Sequence, residues 1–220
     1  MIAKKTFLQT KLIILVAMFF FFNNSALAQI WDYEIEARNK KAEKEANKQL
    51  KNYKDTVLLS YNLQEKLDSL SQKEFQQKSI QLINTFRKDY FNILYKYNPY
   101  FPIKDSVRIL KHNDELASIA EKHAKYLYDV DMPHQVFISE KTGHIGRNGE
   151  DCWDRAKIAG YKNYDSVSEN LAYNYTNFKF IRDWIDSPMH FLVLLAVTNM
   201  SRDEIGIYRY KNVIVLLIAE

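Results

Sequence analysis

Thr142-Gly-His144-Ile-Gly146-Arg-Asn-Gly149-Glu-Asp-Cys152-Trp-Asp-Arg155-Ala-Lys-Ile-Ala-Gly160-Tyr161 is the stretch from which this chain is best read. Ser168-Glu169-Asn170-Leu171-Ala172 and Trp184-Ile-Asp-Ser-Pro-Met-His190 follow it. Only five histidines occur in 220 residues. Two of them, His144 and His190, stand in glycine-punctuated or tryptophan-marked settings with a glutamate between, a set that can meet in one cleft.

Glu169 opens the apolar run Leu171-Ala172-Tyr173, so its carboxylate is expected to be partly buried. A buried carboxylate needs a charged or hydrogen-bonding partner, and His144 and His190 are the natural ones. The trio suits a divalent metal held by imidazoles, acid and base catalysis, or simple mutual satisfaction. No HExxH pattern supports the metal on its own. Nucleophilic chemistry has less behind it. Cys152 has no local activator and reads as a small packed thiol. Ser166, Ser168 and Ser187 lack the GxSxG elbow, and no glycine-rich phosphate loop occurs, so no catalytic residue is assigned. Among the other histidines, His123 sits on an apolar helix face and is expected to be packed and hydrogen-bonded. His112 is expected to be exposed, and His134, after Pro133, rivals His144 as the loop histidine of the cleft.

The N-terminus predicts export. Lys4, Lys5 and Lys11 precede the uncharged run Leu12 to Phe22, whose 11 residues are too few to span a bilayer as a helix. Ala26-Leu27-Ala28 places small residues before an expected cleavage at Gln29. No cysteine follows the run to take a lipid anchor. Residues 1–28 hold three lysines and no acids, so the remainder carries 28 basic against 27 acidic residues. That near-neutral balance excludes a nucleic-acid footprint, which needs clustered Lys and Arg. The single cysteine excludes an intramolecular disulfide and zinc-finger spacing.

Trp31 to Asp55 has neither Gly nor Pro and sets Glu34–Arg38, Glu36–Lys40 and Lys41–Glu45 four apart, as on an exposed helix. Residues 29–78 therefore read as a charged helical linker or N-terminal extension, and 79–220 as the compact domain. Leucines at 58, 59, 63, 67 and 70 keep helical character, either packed on that domain or extending from it. Ile80, Leu82, Ile83, Phe86, Tyr90 and Phe91 recur at helical spacing until Asn98-Pro99 and Phe101-Pro102 intervene. Asp114 can cap a second helix whose apolar face is Leu116, Ile119, Ala120, His123, Ala124 and Leu127. Asp131 to Asn148 reads as a loop, Trp153 to Ala159 as a short helix closed by Gly160, and Phe178 to Ile185 as a helix stopped by Pro188. Glu204 to Tyr210 and Val213 to Ala219 read as strands joined at Lys211-Asn212. Helices first and a short antiparallel sheet late predict an α+β fold.

Four pieces in this order resemble the CAP superfamily, also called the SCP domain, of cysteine-rich secretory proteins, antigen 5 and pathogenesis-related proteins, and in particular its bacterial, disulfide-free branch. They are Leu82 to Arg87 with His112 to Ala124; Gly143-His144, Gly149 and Asp154 to Tyr161; Glu169-Asn170-Leu171-Ala172, similar to the family's GEN[IL]A; and Trp184-x-x-Ser187-Pro188-x-His190, leading to Leu195 and Glu204-Ile-Gly206-Ile207. The resemblance covers about residues 80–220 and implies an α-β-α sandwich with a cleft of two histidines and two acids. Carried over, these are His144, Glu169 and His190. Asp186 is the nearest candidate for the second acid, though Ser187 stands closer to the family position. Ser168 replaces the glycine before Glu169, and Phe191 and Val193 stand where bacterial members often carry Arg and Asn.

The resemblance thus implies an exported binding module whose cleft takes a small ligand or a divalent metal such as zinc through His144 and His190, with no cofactor required. Two alternatives stay beside it: a protease-like hydrolase using His144 or His190 as base with Glu169 as orienter, and an extracytoplasmic interaction module. The partner would be a small molecule, a lipid or a protein, without nucleic acid and without a stable membrane span once the leader is removed.

Overall fold

The computed structural model describes residues 44–45, 48–49, 52–53, 63–97, 109–132, 143–162, 167–195 and 203–219. The expected leader, most of the charged stretch Trp31 to Asp55, Pro99, Phe101-Pro102 and His134 lie outside the described residues. Five α-helices and four strands occur among the described residues: α1 Gln72–Tyr97, β1 Lys111–His112, α2 Asp114–Asp129, α3 Cys152–Ile158, β2 Val167–Tyr173, α4 Lys179–Asp186, α5 Pro188–Leu195, β3 Glu204–Tyr210 and β4 Val213–Ala219. None of the described helices is long and apolar enough to cross a membrane.

The sheet runs β1-β3-β4-β2, with β1 parallel to β3 and the other pairs antiparallel. β4 is apolar throughout and buried throughout, as a central strand covered on both faces must be. Its alternation sorts the molecule into layers. Val213, Val215 and Leu217 pack with Leu116, Ile119, Ala120, Ala124 and Leu127 of α2. Ile214, Leu216 and Ile218 pack with Ile83 and Phe86 of α1, Trp184 of α4 and Leu194 of α5. Helices therefore cover both faces, which is the three-layer α-β-α arrangement of an α+β fold.

Several boundaries differ from the sequence expectation for identifiable reasons. α1 starts at Gln72 rather than near Ile80, because Ser71 and Glu74 form reciprocal end bonds: Glu74 N–H donates to Ser71 Oγ (3.3 Å) and Ser71 N–H to Glu74 Oε2 (2.8 Å). Leu63, Leu67 and Phe75 are buried in the same core as α1, so this part packs onto the domain. Asn113, not Asp114, caps α2 by accepting from Leu116 N–H at 2.9 Å. Pro188 ends α4 as expected but also opens α5, where a residue without an N–H loses nothing.

β2 is the strand the sequence did not announce. It pairs with β4 along seven residues, Val167 opposite Ala219 and Glu169 opposite Leu217, and lies at the edge of the sheet. Its outer carbonyls are met by side chains from the helical layers: Cys152 Sγ donates to Val167 O at 3.1 Å and Trp184 Nε1–H to Leu171 O at 2.8 Å. An edge held this way is a poor template for another strand.

One row of the sheet sets the helix that matters most for the cleft. Gly206, Leu217 and Glu169 are register partners across β3, β4 and β2. α2 sits directly on Gly206: a Cβ there would run into the backbone carbon of Leu116 and the backbone nitrogen of Ala117. α2, seated on Gly206, also brings His123 Nε2 to 3.8 Å from Glu169 Oε2.

Candidate functional site

Glu169 is the hub. Its side chain is only 2% exposed, and both oxygens are engaged. Oε1 accepts from His144 Nδ1–H at 2.9 Å, and Oε2 accepts from Arg155 Nη2–H at 2.5 Å. Arg155, on α3 and 9% exposed, also donates through Nη1 to the carbonyls of His144 (3.1 Å) and Glu150 (3.0 Å). The guanidinium thus neutralises the carboxylate and ties down the loop that carries His144. Arginine suits both tasks because its fork donates in several directions at once and keeps its charge when buried.

His123 is buried, and its Nε2–H donates to Gly143 O at 2.9 Å. The same nitrogen lies 3.8 Å from Glu169 Oε2, but this is not an ion pair. Burial, outweighing the pull of Glu169, holds the imidazole below its ordinary pKa, and Arg155 and His144 push in the same direction. His123 is therefore a neutral donor that clamps the loop. Gly143 has φ +76°, and a Cβ on it would collide with Tyr173 Oη, so only glycine lets the chain pass between Tyr173 and His123.

The His144 side chain is 39% exposed. Its Nδ1–H is committed to Glu169, and a carboxylate behind an imidazole fixes the ring's tautomer and orientation. His190 occupies the first turn of α5, its Nδ1 2.8 Å from Ser187 Oγ. Burial depresses its pKa, and His144 lowers it further, so the two imidazoles share one electrostatic neighbourhood. Ile145 and Met189, next to the two histidines in sequence, are exposed.

The sequence-predicted residues are placed as follows. His144 and Glu169 are in direct contact, and His190, on the opposite helical layer, feels the charge of His144. Asp186 is 51% exposed and pairs with Arg182 at 3.7 Å, and it is Ser187 that bonds His190 Nδ1. Cys152 is packed as expected, its thiol pushed up to about 12 by burial and then by Glu169. Sequence reasoning missed Arg155 and His123 as parts of the cluster. The signal for Arg155 was the requirement of a buried carboxylate for a cationic partner. His123 offered none, since it follows the apolar stripe of α2. Among the described residues, no group of three or more His, Cys, Asp or Glu side chains is arranged to hold a metal ion.

The neutral state of His123 has a pH signature. Its folded pKa lies below that of the unfolded chain, so below about pH 6.5 the unfolded state binds the additional proton. Stability is expected to be intact above that pH and to fall as pH drops through the folded value. His123→Gln is expected to flatten this part of the profile. Urea midpoints measured from pH 7.5 down to 5 check it, and an identical slope in both proteins refutes it.

The family model described as the cysteine-rich secretory protein family, CAP, matches residues 80–211. Among solved structures, the chain is similar to an extracellular protein containing a SCP domain from Bacillus anthracis str. Ames, with 17% identity, TM-score 0.46, and 68% of this chain and 42% of that one covered. It is similar to an outer surface protein from Borrelia burgdorferi, with 22% identity, TM-score 0.44, and 64% and 88% covered. A cysteine-rich secretory protein from Staphylococcus aureus subsp. aureus Mu50 shows 19% identity, TM-score 0.39, and 66% and 39% covered. The match spans less than half the length of the Bacillus and Staphylococcus proteins. No curated protein matches the chain.

Proposed function

Because the chain belongs to the cysteine-rich secretory protein (CAP) family, we propose that it is an exported binding module whose cleft takes a small ligand or a divalent ion such as zinc between His144 and His190. The observation that carries this reading is the use of Glu169. Both its oxygens are spent on holding His144 and Arg155, so the carboxylate aims an imidazole and does not itself face a ligand. His190 is fixed separately, from α5. Two oriented imidazoles suit a ligand that brings its own further donors. Binding is favoured over hydrolysis because the acid of the cluster is already neutralised by Arg155. Export rests on the Lys4 to Ala28 pattern of the N-terminus.

Zinc at a hundred times its Kd is expected to stabilise the purified domain by about 2.7 kcal/mol, roughly 5–10 °C in Tm. His144→Ala and His190→Ala are each expected to abolish that shift. Thermal melts with and without zinc check this, and an unchanged shift in both variants sinks the metal form of the proposal.

A further inference from the structure

Glu169 and Asn170 are consecutive on β2, so their side chains leave opposite faces of the sheet. Glu169 enters the α2 and α3 layer and holds His144. Asn170 enters the other layer, where its Nδ2–H donates to His190 O at 3.0 Å. We infer that Asn170 is a positioning residue for the cleft, the tether that sets α5, and with it the His190 imidazole, opposite the His144 held by its neighbour.

Asn170 is fully buried, and its register partner Leu216, like Ile207 beyond it, belongs to the apolar core of that face. Its Oδ1 is buried with no hydrogen-bond partner among the described residues. A buried amide with an unmet acceptor is costly, and leucine of similar size would suit the surroundings better. Stability alone does not account for an asparagine here. A residue that breaks the local rule at the junction of two site elements is what a functional constraint produces. The bond falls on the residue that carries the second imidazole. Ser187, just before α5, fixes the ring, and Asn170 fixes α5 against the strand. Two adjacent side chains on one edge strand thereby determine the spacing of two histidines that are 46 positions apart in sequence.

The inference deepens the two-imidazole reading and rests on it for its consequence in binding. The test compares the full chain with Asn170→Leu, using zinc alone as the probe together with the ring signals of the five histidines in proton–carbon spectra. Asn170→Leu is expected to melt at or above the wild-type Tm, to bind zinc at least tenfold more weakly, and to shift the His190 signals while those of His144 stay in place. A merely structural asparagine gives the reverse: a lower Tm with unchanged zinc affinity and unmoved His190 signals, which overturns the inference. Asn170→Ala, which adds no bulk, supplies the same readout if leucine does not pack. If the wild-type chain binds no zinc, the two-imidazole reading fails on its own. The His190 signals then decide the role of Asn170: moved, the tether stands; unmoved, it falls.

Discussion

Replacing Glu169 by Ala lowers the unfolding free energy by about 3–5 kcal/mol, the range for breaking one side of a buried ion pair. The magnitude comes from what is left behind. Arg155 remains 9% exposed, with its charge uncompensated and its Nη2 donor unmet, while Nη1 still reaches the His144 and Glu150 carbonyls. His144 simultaneously loses the acceptor that orients it. Most of the loss is the cost of the stranded guanidinium, so an Arg155→Met and Glu169→Leu double variant recovers a large part of it. That variant does not recover zinc binding, because nothing then aims His144. Urea unfolding of Arg155→Met, Glu169→Leu and the double variant measures the coupling. Additive losses would remove Glu169 from the centre of the cluster.

Gly206→Ala is expected to cost about 3 kcal/mol, the upper end for overpacking, although it adds a single methyl group. The methyl would meet the backbone of Leu116 and Ala117 rather than the tip of a flexible side chain, so relief requires α2 to lift from the sheet. Lifting it separates His123 from Gly143 and Glu169, and the variant loses cleft function as well as stability. Ile207→Val, on the other face of β3, is expected to cost only about 1 kcal/mol and to leave zinc binding intact. Thermal melts and zinc titrations of both variants separate the two effects. Equal behaviour of the pair would refute the footing of α2 on Gly206.

The amphipathic stripes of α1 and α2 and the two apolar runs of β3 and β4 were legible because each presents one face, or none, to water. Lys211-Asn212 was legible as their turn, and Lys211 indeed takes φ +53°. β2 was not legible, for a reason tied to the site. Its alternation is interrupted by Glu169 on one face and Asn170 on the other, and its partner residues on β4 lie 40 or more positions downstream. The residues that make the strand useful are those that hide it. α5 was hidden differently: Phe191 to Leu195 is apolar all round, so no stripe marks it, and Pro188 reads as a stop until its place in the first turn is seen. In the cleft, the expected buried carboxylate was visible but its strongest partner was not. Histidines drew attention while Arg155, 14 residues before Glu169, lay in a helix that pattern alone gives no reason to turn inward.

Cys152 gives the molecule a use beyond its own chemistry. The only thiol of the chain is bonded to the edge strand at Val167 and resists ionisation up to about 12. The residue is partly exposed, and a maleimide or disulfide reagent reaches its sulfur faster when α3 parts from β2. The rate of labelling therefore clocks the opening of that single seam, with no probe introduced and no second sulfhydryl to confuse the signal. A ligand that bridges the two helical layers would slow the clock in the intact protein before any change in melting is seen.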